Sequence, residues 1–124
     1  RWPGRIKPGS NIDTPFWSPD LLPACAKLAG AALPTDVMFD GIDPLPLLSD
    51  DAPSPHESFF FKYRSHAALR KGDWKIVREK QNRPWQLFNL ATDQSEARDV
   101  ANARPETVKE LTGEFARWHN SFRP

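Results

Sequence analysis

The sequence predicts an α+β chain: a small antiparallel β-sheet of three or four strands packed against a C-terminal α-helix, preceded by a proline-rich segment with one helix. Three observations predict it. Apolar residues recur at helical spacing near the C-terminus. Aromatic and β-branched runs separated by short polar links fill positions 58 to 90. All prolines but Pro84, Pro105 and Pro124 lie between Pro3 and Pro55.

The 124 residues suffice for one small domain with its own core. An apolar fraction of 39% and a charged fraction of 27% fit a globular chain, not a disordered one. Basic and acidic side chains nearly cancel to a net charge of +1, so no bulk field draws nucleic acid or an anionic membrane. No apolar run approaches the roughly 20 residues that span a bilayer. Cys25 is the single cysteine, which excludes an intrachain disulfide and a thiolate zinc site. The chain opens Arg1-Trp2-Pro3-Gly4 without an initiator Met or signal peptide, which we read as a start inside a longer protein.

Proline lacks an amide donor and resists helix interiors and central strands, so the first part should wind with little regular structure. One helix is expected near 19–29. Ser18 is a good N-cap, Pro19 suits the first helical position, and Asp20 meets the positive end of the helix dipole. Leu21, Leu22, Cys25, Leu28 and Ala29 give an apolar stripe, and Gly30 suits the stop. From Ala31 to Pro55 the sequence reads as loop, with turn chemistry at Asp40-Gly41 and Asp50-Asp51.

Strands are expected at Phe59–Tyr63, Ala67–Arg70, Asp73–Arg78 and Trp85–Leu90, with a tight turn at Lys71-Gly72. The closing helix, about 105–119, starts at Pro105 beside Glu106. Val108, Leu111, Phe115, Trp118 and Phe122 lie on one face of it. The first part has no such closure: its helix stripe needs either the small sheet or, the reading we favour, a larger body to cover it.

Several phrases, in order, resemble the sulfatase family, the bacterial arylsulfatases in particular, and only their C-terminal portion. Arg1-Trp2-Pro3-Gly4-Arg5-Ile6 is similar to the strand and turn after the last catalytic-domain loops. Asp20-Leu21-Leu22-Pro23-Ala24-Cys25 with Leu28-Ala29-Gly30-Ala31 resembles the family's D-L-x-P-T…L-A-G helix, with Ala24 in place of Thr. Asp40-Gly41-Ile42-Asp43 with Leu47-Leu48 matches its D-G-x-x…L-L loop, and His56 to Phe61 resembles the entry to its C-terminal subdomain. Ala68 to Val77 is close to its A-V-R-x-G-D-W-K-L-V hairpin. Trp85 to Leu90, then Asp93 and Glu96, matches W-E-L-Y-D-L…D-x-x-E.

The resemblance implies that residues 1–57 belong to the end of an α/β sulfatase catalytic domain and 58–124 form the C-terminal subdomain. It implies a parent that hydrolyses sulfate esters with a formylglycine nucleophile and a calcium-type cation, and makes a periplasmic or secreted location plausible. Neither the formylglycine motif nor the metal ligands are expected in this chain, because Cys25 is followed by Ala26-Lys27-Leu28-Ala29. No catalytic residue is carried over. The chain alone is expected to be inactive, with the remainder of the catalytic domain as its partner.

Asp40-Gly41-Ile42-Asp43 lacks the alternating ligands of a calcium loop and reads better as a turn. Cys25 reads as an inert buried thiol sooner than a reactive one. His56, Arg64 and His66 are candidates for a substrate rim in the parent; His119 fits no ligand pattern. Lys62, Arg64 and Arg70 beside Tyr63 suit the steering of an anionic ester, but read better as the ordinary surface charge of an edge strand. Trp74, Trp85 and Trp118 read as core rather than a sugar platform. The competing function is a freestanding, non-catalytic interaction module derived from a sulfatase. A nucleic-acid module is opposed by the charge balance.

Overall fold

The structure, a computed structural model, describes residues 2–50 and 52–121. It divides into two units, Arg1–His56 and Glu57–Pro124. Arg1, Asp51 of the expected 50–51 turn, and Phe122 of the expected helix stripe lie outside the described residues.

In the first unit a 3₁₀ turn, Ser18–Asp20, leads into helix α1, Leu21–Leu28. Ser18 and Pro19 thus form the turn instead of capping the helix directly. Pro23 falls in the first turn of α1, where its missing amide has no partner to lose. Gly30 ends the helix at a φ of 66°, the left-handed position that favours glycine. A second helix, α2, spans Leu45–Asp50, where a loop is expected from the sequence. The Asp43 carboxylate accepts the Leu45 N–H at 3.0 Å, starting the helix. Leu47, 2% exposed, anchors it. The apolar residues there are too few for a periodic signal, so the cap and one buried leucine decide the matter.

The second unit is a four-stranded antiparallel sheet in the order β1-β2-β3-β4, with β1 Ser58–Tyr63, β2 His66–Lys71, β3 Trp74–Arg78 and β4 Gln86–Asn89. Lys71 pairs with Trp74, so the tight turn sits at Gly72-Asp73, one residue beyond its expected place, with Gly72 at a φ of 55°. Trp74 pairs with Asn89 and Lys75 with Phe88, so the ladder runs through to the last strand. Helix α3, Pro105–Ser121, covers one face.

The side-chain alternation of strands decides that face. Leu69, Ile76 and Leu87 are fully buried in adjacent strands and meet Leu111 and Phe115 of α3. Phe60, Trp74, Trp85, Val108 and Trp118 pack around them. The Phe60 and Trp118 rings stack with centroids 4.8 Å apart. Burying Leu111 and Phe115 is worth about 1.5–3 kcal/mol each, enough to hold the helix down.

A polar strut ties the same helix to the sheet edge. Glu114 accepts hydrogen bonds from Ser58 Oγ at 2.5 Å and from Lys71 Nζ at 2.9 Å. Burial pushes the Glu114 carboxyl up, but these two bonds and the nearby positive charge of Lys71 and Arg117 outweigh it and hold it below 4.5. The hydrogen bond and charge of Glu114 in turn raise the Lys71 ammonium above 10.5. A depressed carboxyl stabilises the fold above its unfolded pKa and loses that contribution as the pH falls through the folded value. Glu114→Gln should therefore flatten the loss of stability on acidification below pH 4.5, read as urea midpoints across a pH series. An acid limb as steep as that of the wild type would mean the strut contributes nothing.

Candidate functional site

Two constellations concentrate chemistry, one in each unit. In the first, the Asp20 carboxylate is completely buried. Oδ1 accepts the Ile42 N–H at 2.9 Å and lies 2.7 Å from His56 Nε2; Oδ2 accepts the Trp17 N–H at 3.2 Å. The His56 side chain is 6% exposed, and its ring stands edge-on to Trp17 with centroids 5.6 Å apart. Gly41 makes this possible: a Cβ there would come within 2.1 Å of the Pro19 carbonyl oxygen. Asp20 thus pins three stretches of chain, those around 17, 42 and 56, to one point. A buried carboxylate with three such contacts is satisfied, with most of its roughly four acceptor sites engaged.

Next to it, Asp43 binds Lys27 Nζ at 2.6 Å. Burial pushes the Asp43 carboxyl up; the bonds from Lys27 and the Leu45 N–H, with the Lys27 charge, overcome it and hold the carboxyl below 3.8. Asp40-Gly41-Ile42-Asp43 is accordingly a turn braced from both sides. A divalent cation of the kind expected for the parent needs several oxygen ligands. Among the described residues no three His, Cys, Asp or Glu side chains are grouped to hold one, and Asp20 and Asp43 are committed elsewhere. The described residues do not fit that ion.

In the second unit the β1–β2 hairpin brings two of the three rim candidates together. Tyr63 and His66 are paired across the ladder, and Arg64 and Ser65 make the turn between them. Arg64 takes a φ of 53°, uncommon for a residue with a side chain. Its guanidinium lies 5.2 Å from the centroid of the Tyr63 ring. The Lys62 ammonium is bonded to the Arg64 carbonyl oxygen. Lys62, Tyr63, Arg64 and His66 are all exposed. Arg70, by contrast, turns its Nε to the Gly72 carbonyl at 3.1 Å. His56, the third rim candidate, belongs to the first unit, enclosed with Asp20 and Trp17.

The remaining candidates have structural surroundings. Trp74, Trp85 and Trp118 pack on the core. His119 lies along Phe115 with centroids 6.0 Å apart. Asp93 accepts the N–H groups of Arg98 at 2.8 Å and Ala97 at 3.1 Å and the Ser95 hydroxyl at 2.9 Å, which hold its carboxyl low. Glu96 meets Lys75 at 2.5 Å. The Asp93 and Glu96 of the last phrase therefore fasten a loop. Cys25 is exposed, against the expectation of a buried thiol, because no described residue of its unit covers the outer side of α1. No described helix is long and apolar enough to cross a membrane.

No family model matches the chain. Over 75 residues, 60% of this chain, it is 44% identical to the steryl-sulfatase of Rattus norvegicus, covering 13% of that protein. Over 128 residues, 90% of this chain, it is 30% identical to the N-acetylgalactosamine-6-O-sulfatase of Bacteroides thetaiotaomicron, covering 25% of it. The chain is homologous to the C-terminal portion of the sulfatases. It spans 13% to 25% of the length of these two sulfatases. Its fold matches the crystal structure of Ps i-CgsB with a TM-score of 0.80 at 29% identity, over 94% of this chain and 27% of that one. A phosphonate monoester hydrolase from Silicibacter pomeroyi also shares it, with a TM-score of 0.72 at 26% identity over 98% of this chain and 28% of that one. The four-stranded sheet with its C-terminal helix is thus a sulfatase C-terminal subdomain, although the fold alone does not select sulfate over phosphonate.

The sequence signal at Asp20 was an acid at a helix start; its burial came from a contact 36 residues away, which no local pattern carries. Removing a buried acceptor commonly costs about 1–3 kcal/mol for each donor it leaves unsatisfied. Asp20→Ala is expected to lower the stability of the first unit by that order, read by chemical unfolding followed through Trp17 and its neighbours. A change under about 0.5 kcal/mol, ordinary for a surface site, would refute its role as the hub.

Proposed function

We propose that this chain is the C-terminal part of a sulfuric ester hydrolase of the arylsulfatase kind, and that the nucleophile and metal ligands of that enzyme lie in residues outside these 124. The observation that carries this reading is the similarity to sulfatases along 90% of the chain. In this reading residues 1–57 close the α/β catalytic domain and 58–124 form the C-terminal subdomain. The role of the chain is structural: it completes the fold and shapes a wall of the substrate cleft.

The outer surface of α1 supports a missing partner. Leu21, Leu22 and Leu28 are 54%, 52% and 53% exposed. Covering such a side chain is worth about 1.5–3 kcal/mol, and a contiguous apolar stripe marks an interface. The remainder of the catalytic domain is the partner we assign to it. At the cleft we place Arg64 and His66 as rim residues. Their cationic and N–H donor groups suit the oxygens of a sulfate ester, and they act by attracting and orienting, with no bond-making step of their own. His56 has a structural part within the first unit, where it holds Asp20. A calcium-type cation and a formylglycine of the family would supply the Lewis-acid and nucleophilic chemistry from residues outside these 124.

The test is an assay with an aryl sulfate and the matching phosphonate monoester, on this chain alone and joined to the upstream part of its protein. The joined protein is expected to turn over the sulfate preferentially and the chain alone neither. Turnover by the chain alone would overturn the placement of the centre; preference for the phosphonate would overturn the substrate class.

A further inference from the structure

The two edges of the sheet are finished differently. At β4 the outward backbone groups have partners. The Asp99 carboxylate accepts the Leu87 N–H at 3.0 Å, the Leu87 carbonyl accepts the Val100 N–H at 2.9 Å, and the Asn89 carbonyl accepts the Asp93 N–H at 2.8 Å. At β1 the edge is open. Arg64 and Ser65 make a two-residue turn, which closes on a hydrogen-bonded pair, Tyr63 with His66. Such pairs alternate along an antiparallel ladder. Phe59, Phe61 and Tyr63 therefore direct their backbone groups to β2. Ser58, Phe60 and Lys62 turn theirs away from it, and among the described residues no backbone group meets them.

Natural sheets blunt an exposed edge with a bulge, a proline or a standing charge. The register of β1 runs unbroken from Ser58 with Lys71 to Tyr63 with His66, and no proline lies within it. Its one charge, on Lys62, is bonded to the Arg64 carbonyl of its own turn and is drawn toward the hairpin tip. Phe61 and Tyr63 are exposed on one face of the strand. The two ends of β1 differ in charge. Lys62 and Arg64 lie at one end. At the other, Glu57 is exposed just before the strand, Glu114 holds Ser58, and Glu110 shares Lys71 with it. These three carboxylates outnumber Lys71 and Arg117, the cations beside Glu114.

We propose that β1 is a docking edge for the β1 strand of a second copy of this chain, so that two sheets join edge to edge. The charge pattern fixes the occupant and its direction. Antiparallel pairing about Phe60 sets Ser58 opposite Lys62 of the copy, Phe59 opposite Phe61, and Glu57 opposite Tyr63. Directly opposite residues stand about 4.5–5.5 Å apart at Cβ, so Lys62 of each copy reaches the carboxylates beside Ser58 of the other. The pairs that hydrogen-bond across the joint, Ser58 with Lys62 and Phe60 with Phe60, use the backbone groups that β2 leaves open. Parallel pairing would set like charge beside like. A slip of one residue would set an open backbone group against one already bonded to β2. A joint of one short strand is small, so the dimer is a weak one. The inference concerns association and does not rest on the hydrolase reading.

The experiment is amide hydrogen exchange of the full chain, read residue by residue by NMR over a dilution series, with sedimentation to follow association. At high concentration the amides of Ser58, Phe60 and Lys62 should exchange about tenfold or more slowly than at low concentration. Those of Phe59, Phe61 and Tyr63, already bonded to β2, should change far less. Lys62→Glu should weaken association about tenfold while the unfolding midpoint at low concentration stays that of the wild type, and the milder Lys62→Gln should weaken it several-fold. A mixture of the Lys62→Glu and Glu110→Lys chains should associate more tightly than either alone, because each contact of the mixed pair joins opposite charges. Association through the leucines of α1 would slow none of the three amides and would overturn the proposal. Equal slowing of all six amides, charge variants that associate like the wild type, or a mixture no tighter than its components would overturn it as well.

Discussion

The contact of Leu111 and Phe115 with Leu69, Ile76 and Leu87 is the constraint on which the second unit depends. A four-stranded sheet left uncovered would expose the apolar face formed by Leu69, Ile76 and Leu87 to water. A helix of 17 residues with a mostly polar surface is marginal alone. Each becomes stable by covering the other. The outlying features follow from this contact. Trp118 reaches Phe60 only because α3 runs along the sheet, and Glu114 reaches Ser58 and Lys71 because it sits one turn from Leu111 on the same flank. With the sheet fixed, the β1–β2 hairpin becomes a rigid arm and its tip a defined surface.

The first unit is built on the opposite principle. Its buried centre is small, chiefly Asp20, Ala24, Pro44 and Leu47, and Phe16, Leu21, Leu22, Leu28, Val37, Met38 and Ile42 are exposed. Order comes from a carboxylate that gathers backbone and imidazole donors. Such a hub fixes geometry well and adds little net stability, since desolvating the charge offsets much of the bonding. A segment organised this way, with exposed leucines on its helix, has the character of a piece of a larger core. That is how the sulfatase homology and the physical reading of the helix stripe converge.

Legibility in the sequence followed the range of the interaction. Helix α3 was plain because Val108, Leu111, Phe115 and Trp118 repeat within one segment, and the strands because Phe59–Tyr63 and Trp74–Val77 carry β-forming residues between turn signals. The turn at Gly72 was misplaced by one residue, since either neighbour suits a tight turn and the pairing of Lys71 with Trp74 decides. Helix α2 was missed because its cap lies on Asp43, outside any periodic run. At the candidate site, Arg64 and His66 were visible as charged and imidazole groups near an expected junction. The enclosure of His56 depends on Asp20, far away in sequence, and could not be read locally.

The central claim is that the outer surface of α1 is an interface completed by the rest of a hydrolase. Cys25 stands exposed on that helix and is the only thiol of the chain, so it can be followed by mass spectrometry of its own peptide. Its rate of alkylation should be that of an open thiol in this chain alone. It should fall by about 100-fold or more, the occlusion expected of a residue inside a packed core, when the chain is joined to the upstream part of its protein. Equal rates in the two forms would mean that α1 faces water in both, and the claim would be wrong.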